Sequence, residues 1–164
     1  MLLTVCCRLV GELRNVIVFA VGSARYAVEL RWIREVVTLG FVTAVPTAPP
    51  VLGGVCNLHG TILPVLDLLA LLDQAAGPTP RQGDGALVLE SEGTVCALRV
   101  DQIDHVASLP AAGQSPAAST SGLETGSGVV DTSGRPLVLL DPQKLVRKAV
   151  ELVGAATEPT TARA

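Results

Sequence analysis

Two stretches of this 164-residue chain can be laid over one another without a gap. The first runs Gly54-Val55-Cys56-Asn57-Leu58-His59-Gly60-Thr61-Ile62-Leu63-Pro64-Val65-Leu66-Asp67, and the second is residues 128–141. Gly54, Val55, Gly60, Leu63, Leu66 and Asp67 meet Gly128, Val129, Gly134, Leu137, Leu140 and Asp141. Each copy reads as a strand, a glycine turn, a second strand and an Asp placed to cap a helix. Upstream, Ile33 and Val36 correspond to Ile103 and Val106. A unit written twice predicts two similar β lobes related by an approximate two-fold axis.

The rest of the chain suits that reading, because most apolar runs are short and rich in β-branched residues. Asn15–Val21 is one such run. In Arg25–Leu30, Tyr26, Val28 and Leu30 alternate with Arg25, Ala27 and Glu29, the period of a half-buried strand. Gly22-Ser23 between the two makes a tight hairpin turn. Further strands are predicted at Ile33–Val37, Gly54–Leu58, Thr61–Leu66, Ala86–Glu90, Thr94–Val100, Ile103–Ala107, Gly128–Asp131 and Pro136–Leu140. One longer helix starts at Asp141-Pro142, carries Leu145, Val146, Ala149, Val150 and Val153 at helical spacing, and has its stop at Gly154. Residues 75–85 and 111–122 are read as flexible loops, and the tail from 155 as loose.

Composition narrows the function. Hydrophobic residues make up 49% of the chain, enough for a core, while charged residues are only 16%, a hint that partners cover some of the surface. A formal net charge of −3 with no basic stripe excludes phosphate-backbone recognition, so no nucleic-acid partner is expected. Residues 36–66 carry no Asp, Glu, Lys or Arg, but Pro46, Pro49, Pro50, Gly53, Gly54, Gly60 and Pro64 interrupt them too often for a membrane span. No secretory signal is evident. Cys6, Cys7, Cys56 and Cys96 have no disulfide-framework spacing, which fits a reducing cytoplasm, and Cys6-Cys7 are read as free thiols in an N-terminal extension of residues 1–14.

The stretch from Pro46 to Leu68 resembles a family. Pro46-x-x-Pro49, then Gly54-Val55-Cys56-Asn57-Leu58-His59-Gly60, then Pro64-Val65-Leu66-Asp67-Leu68 is similar to the motif run of the CheW-like chemotaxis coupling proteins. Ile33-Arg34-Glu35-Val36-Val37 and Leu98-Arg99-Val100-Asp101-Gln102-Ile103 resemble two further family segments, in the expected order. The resemblance spans residues 15–150 as a single CheW-like domain. It implies a mainly β fold of two intertwined, SH3-like, five-stranded barrels with a short C-terminal helix. It also implies a cytoplasmic, non-enzymatic adaptor without cofactors. Such adaptors couple the signalling tip of a methyl-accepting chemoreceptor to the regulatory domain of a CheA-like histidine kinase. The first barrel would dock on the kinase, and a groove between the barrels would hold the receptor tip.

The residues expected to contact partners are Ile33, Glu35, Val36, Val37, Asn57, Leu58, His59, Leu98 and Val100. Family members can pair a Glu at the position of Glu35 with an Arg at the position of His59. Histidine is shorter and loses its charge near neutral pH, so a weaker or pH-dependent contact is expected. His59 reads equally well as a solvated turn residue. Val36 and Val37 fall near the kinase-facing side by resemblance, while Ile33, Leu98 and Val100 also read as core. Asn57 and Gly60 are read as turn formers, and Asp67 and Asp141 as helix caps rather than acids. Two other readings stay open. One is an accessory module that binds a single partner, such as another CheW-like domain. The other is a metal or thiol enzyme, which would need Cys56, His59, Cys96 and His105 to converge.

Overall fold

The computed structural model describes residues 13–110, 126–130 and 134–157. The expectations for Cys6, Cys7, Asp131 and the loop at 111–122 lie outside those residues. In chain order the elements are β1 (Leu13–Val21), β2 (Ala24–Glu29), a 3-10 turn (Leu30–Trp32), β3 (Ile33–Thr38), β4 (Val42–Thr43), β5 (Leu52–Leu58), β6 (Thr61–Leu66) and α1 (Leu68–Leu71). The second half supplies β7 (Gly85–Ser91), β8 (Thr94–Val100), β9 (Gln102–Pro110), β10 (Gly126–Val130), β11 (Pro136–Leu140) and α2 (Pro142–Thr157).

The two halves interlock. One sheet has the order β10-β11-β2-β1-β9 and the other β3-β7-β8-β6-β5-β4. Each sheet therefore takes a hairpin from one half and the remaining strands from the other. The repeat appears in the registers. Val65 of β6 runs parallel to β8 opposite Ala97, and its counterpart Leu139 of β11 runs parallel to β2 opposite Ala27. Both outer strands carry a register shift at matching places: the β3–β7 pairing passes over Arg34, and the β1–β9 pairing passes over Asp104. Two SH3-like lobes result, as expected. The second sheet has six strands, because the two-residue β4 adds itself to β5.

Among the described residues three apolar clusters form. A central one, containing Phe19, Tyr26, Val28, Leu87, Leu89 and Leu98, lies between the sheets. Each lobe has its own smaller cluster: Val16, Val18, Ala27 and Leu137 in the first sheet, and Cys56, Leu63, Val65, Val88 and Ala97 in the second. The hairpins β1–β2 and β7–β8 face the central cluster on one side and a lobe cluster on the other. The half-buried reading of Arg25–Leu30 is thus corrected: Ala27 is as inaccessible as Val28, at 0%. Ala27 packs into the lobe cluster on the second face. Leu30 leaves the strand for the 3-10 turn.

The helix caps form as expected. Asp67 Oδ1 accepts from the backbone N–H of Ala70 at 3.2 Å, and Asp141 Oδ1 from that of Gln143 at 3.0 Å. Gly154 does not stop α2, which runs on to Thr157. A glycine terminates a helix by turning left-handed, and Gly154 does not adopt a positive φ. Val153, packed on the central cluster, holds this last part of the helix in place. Leu13 and Arg14, expected to precede the domain, belong to β1, where they pair with Pro110 and Leu109. The segment at 75–85 has little regular structure but is tethered: the N–H of Gly77 donates to Asp67 Oδ2 at 2.8 Å and that of Gly83 to the Leu39 carbonyl at 2.9 Å.

A polar staple joins the halves. Arg99 meets Asp84 Oδ2 at 2.9 Å and Asp101 Oδ1 at 3.0 Å, and Asp101 Oδ2 accepts from the Gly22 N–H at 2.7 Å. Burial alone would raise the Asp84 carboxyl. The hydrogen bonds from Arg99 and the Arg81 backbone, with the charges of both arginines, outweigh it and hold Asp84 below its ordinary value. A carboxyl depressed on folding stabilises the native state above its unfolded pKa, about 3.9, and that stabilisation is lost as pH falls through the lower folded value. Asp84→Asn should therefore lower stability at neutral pH and flatten its loss below about pH 4, read by urea unfolding at several pH values. A second expectation concerns Gly54, which sits at φ +149 beside a register shift in β5. A Cβ there would lie 2.7 Å from the Thr43 carbonyl oxygen. Gly54→Ala should cost about 1–3 kcal/mol, measured by the same unfolding.

Candidate docking surface

The site is built where β3 faces the β5–β6 hairpin. Along β3 burial alternates: Ile33, Glu35 and Val37 turn partly inward, while Arg34, Val36 and Thr38 face out. Ile33 packs on the central cluster and Val37 on the second lobe's cluster. Val36, 48% exposed, is the apolar residue of this strand that faces solvent.

Leu58 of β5 pairs with Thr61 of β6, which leaves His59 and Gly60 as a two-residue turn. Both have positive φ, +51 and +85, the geometry that suits the right-handed twist of a hairpin. Asn57 Oδ1 accepts from the Gly60 N–H at 2.9 Å and fixes the turn, as its turn-forming role predicted. The turn carries His59 Nε2 to 3.4 Å from Glu35 Oε2. His59 is thus a solvated turn residue, its side chain 76% exposed, that also reaches Glu35. β3 and β5 lie far apart in the strand order, so the contact spans the mouth of the lobe. A hollow of about 210 Å³ sits beneath it, floored by Leu63, Val88 and Val95. At this exposure the pair is worth little by itself. It positions two polar side chains beside an apolar surface.

That surface was only partly visible in the sequence. Cys56 opposes Val42 and Leu63 and points into the lobe, so Asn57 and its partner Ile62 point out. Ile62 is 63% exposed and Phe41, just before β4, is 82% exposed. Strand alternation alone could have turned Ile62 outward; nothing in the sequence marked Phe41. Leu98 and Val100 are a correction. Each is 1% exposed within the central cluster, so their side chains offer nothing to a partner. Two-sided burial of β8 is the reason.

The enzyme reading finds no support in this geometry. Cys56 lies in the second lobe's cluster and Cys96 in the central one. Burial raises both thiols, that of Cys96 to about 11, which keeps them protonated and unreactive. His105 pairs opposite Val18 in the other sheet, and among the described residues no three His, Cys, Asp or Glu side chains gather as a metal site. No helix of the described residues is long and apolar enough to cross a membrane.

The fold is thus one of two interlocked β lobes, each completed by a hairpin from the other half. Comparison with known proteins agrees. The model of the CheW-like domain matches residues 15–150. The chemotaxis protein CheW of Klebsiella aerogenes is 29% identical over 144 residues, covering 85% of this chain and 86% of that one. Protein FrzA of Myxococcus xanthus is 32% identical over 140 residues, covering 80% and 84%. The crystal structure of the scaffolding protein TtCheW from Thermoanaerobacter tengcongensis superposes with a TM-score of 0.69 at 21% identity, over 82% of this chain and 92% of that one, a likeness of fold. The chain belongs to the CheW-like family, adaptor and scaffold proteins of chemosensory signalling, and is not an enzyme.

Asn57→Ala removes the acceptor that fixes the His59–Gly60 turn. It should cost about 1 kcal/mol and speed amide exchange at Gly60, while Asn57→Asp, which keeps an acceptor, should lose less on both measures.

Proposed function

We propose that this protein is a cytoplasmic adaptor that couples a chemoreceptor signalling tip to the regulatory domain of a CheA-like histidine kinase. The observations that carry this are the Glu35–His59 contact and the exposed apolar side chains of the same lobe, Val36, Phe41 and Ile62. Exposed apolar side chains with a polar rim are the usual make-up of a protein interface. The kinase domain would seat on the lobe of the second sheet, which carries Glu35 and His59 and stands for the first barrel of the resemblance, with Asn57 and Leu58 beside them and Val37 and Ile33 supporting β3 from within. Holding receptor and kinase at a fixed geometry lets the state of one bias the other without any chemistry in the adaptor.

The histidine at position 59 favours a second reading for the strength of the bridge. A histidine is shorter than an arginine and lacks its fork of donors, so an interface built on the Glu35–His59 pair is the weaker one. An accessory module that engages one partner only, or another CheW-like domain, is the form this reading takes.

Titration of the purified protein against the kinase regulatory domain, and separately against a receptor tip, both from its own organism, tests the proposal. Binding to both is the expected result; binding to one makes it the accessory module, and binding to neither removes the coupling role. Ile62→Glu and Phe41→Asp should each weaken kinase binding at least tenfold without unfolding the chain, since both side chains are exposed. His59→Arg should tighten binding; equal affinities for both forms would sink the role given to the Glu35–His59 contact.

A further inference from the structure

We infer that the seam between the two halves is itself an interaction surface, and that its partner is a second copy of this chain, through reciprocal exchange of halves. This rests on the topology and not on the docking reading above. Among the described residues, neither half holds a complete lobe. The first half contributes β1–β2 to one sheet and β3–β6 to the other, and the second half contributes β9–β11 and β7–β8 in the opposite sense. All four pairings that complete the sheets cross the seam: β1 with β9, β2 with β11, β3 with β7 and β6 with β8.

Each half is therefore complementary to the other and leaves its own apolar faces bare. The central cluster draws Phe19, Tyr26 and Leu66 from the first half and Leu87, Leu98 and Leu145 from the second. The covalent link from α1 to β7 is the single segment 72–84. Its ties run to both halves, through Gly77 to Asp67 and Gly83 to Leu39 in the first, and through Asp73 to Lys148 and Asp84 to Arg99 in the second. If the first half of one copy closes on the second half of another, every one of those strand pairings and the Arg99–Asp101–Gly22 staple are rebuilt between chains. Only the path of the segment changes. The choice between the closed monomer and the exchanged dimer then falls to chain concentration during folding and to the length of that segment. An exchanged dimer carries two complete copies of every lobe, which makes a one-sided adaptor bivalent.

Two variants with one introduced cysteine each test this, both carrying Cys6→Ser and Cys7→Ser and keeping the buried Cys56 and Cys96. Thr38 of β3 and Gly85 of β7 oppose one another across the seam. Thr38→Cys chains and Gly85→Cys chains, mixed unfolded and refolded together at high concentration, should yield a dimer joined by a disulfide between the two different chains. Dilute refolding should yield far less of it. Removal of residues 74–79, which shortens the link, should raise the dimer fraction several-fold. If the shortened chain does not fold, the pair of full length decides. Monomer alone at high concentration, or a dimer in which the two cysteines do not join, overturns the inference.

Discussion

Four strands of this protein are buried on both faces, and the rest of the structure follows from that. β1, β2, β7 and β8 separate a central cluster from two lobe clusters, so their side chains serve two cores in alternation. Val16 and Val18 turn to one, Ile17 and Phe19 to the other. A strand in that position cannot present a polar face, and it needs a small residue wherever a neighbouring strand crowds its second side. Ala27 and Ala97, at matching points of the two halves and both fully inaccessible, meet that need. The parallel pairing of β6 with β8 and of β11 with β2 is possible because each pair joins strands from different halves, distant in sequence.

Interlocking also explains where function can sit. With the inner strands committed to packing, only the outer strands and their turns meet solvent. β3 lies at one end of its sheet, and the β5–β6 hairpin lies toward the other. The His59–Gly60 turn brings the two together across the lobe mouth, with Val36, Ile62 and Phe41 exposed beside it. Such a surface can be altered residue by residue at little cost to the core beneath it. A histidine at position 59 is tolerated by the fold, since its neighbours Asn57 and Gly60 supply the turn geometry.

The two lobes are alike in topology and different in detail. The positions matching Glu35 and His59 in the other lobe are His105 and Ser133, which form no equivalent acid–base pair by their chemistry. The Arg99 staple has a counterpart with its charges reversed: Glu29 stands where the repeat places Arg99 and meets Arg14 and Arg31, which match Asp84 and Asp101. Duplication set the framework. Divergence at exposed and half-buried polar positions gave one lobe its own surface.

The sequence by itself determined the repeat, the placement of most strands, the Asp caps at 67 and 141 and the tight turn at Asn57–Gly60. All of these rest on contacts between residues close in the chain or on the backbone preferences of single residues. It also carried the family motifs that point to Glu35 and His59. Tertiary structure decided which strands belong to which lobe, because exchange of hairpins between halves leaves no local trace. It buried Leu98 and Val100, which alternation could not distinguish from groove residues once both faces of β8 were covered. It exposed Phe41, whose position depends on how the chain crosses from β3 to β4. It let α2 pass through Gly154, since packing of Val153 on the central cluster outweighs the about 1 kcal/mol that a glycine costs a helix.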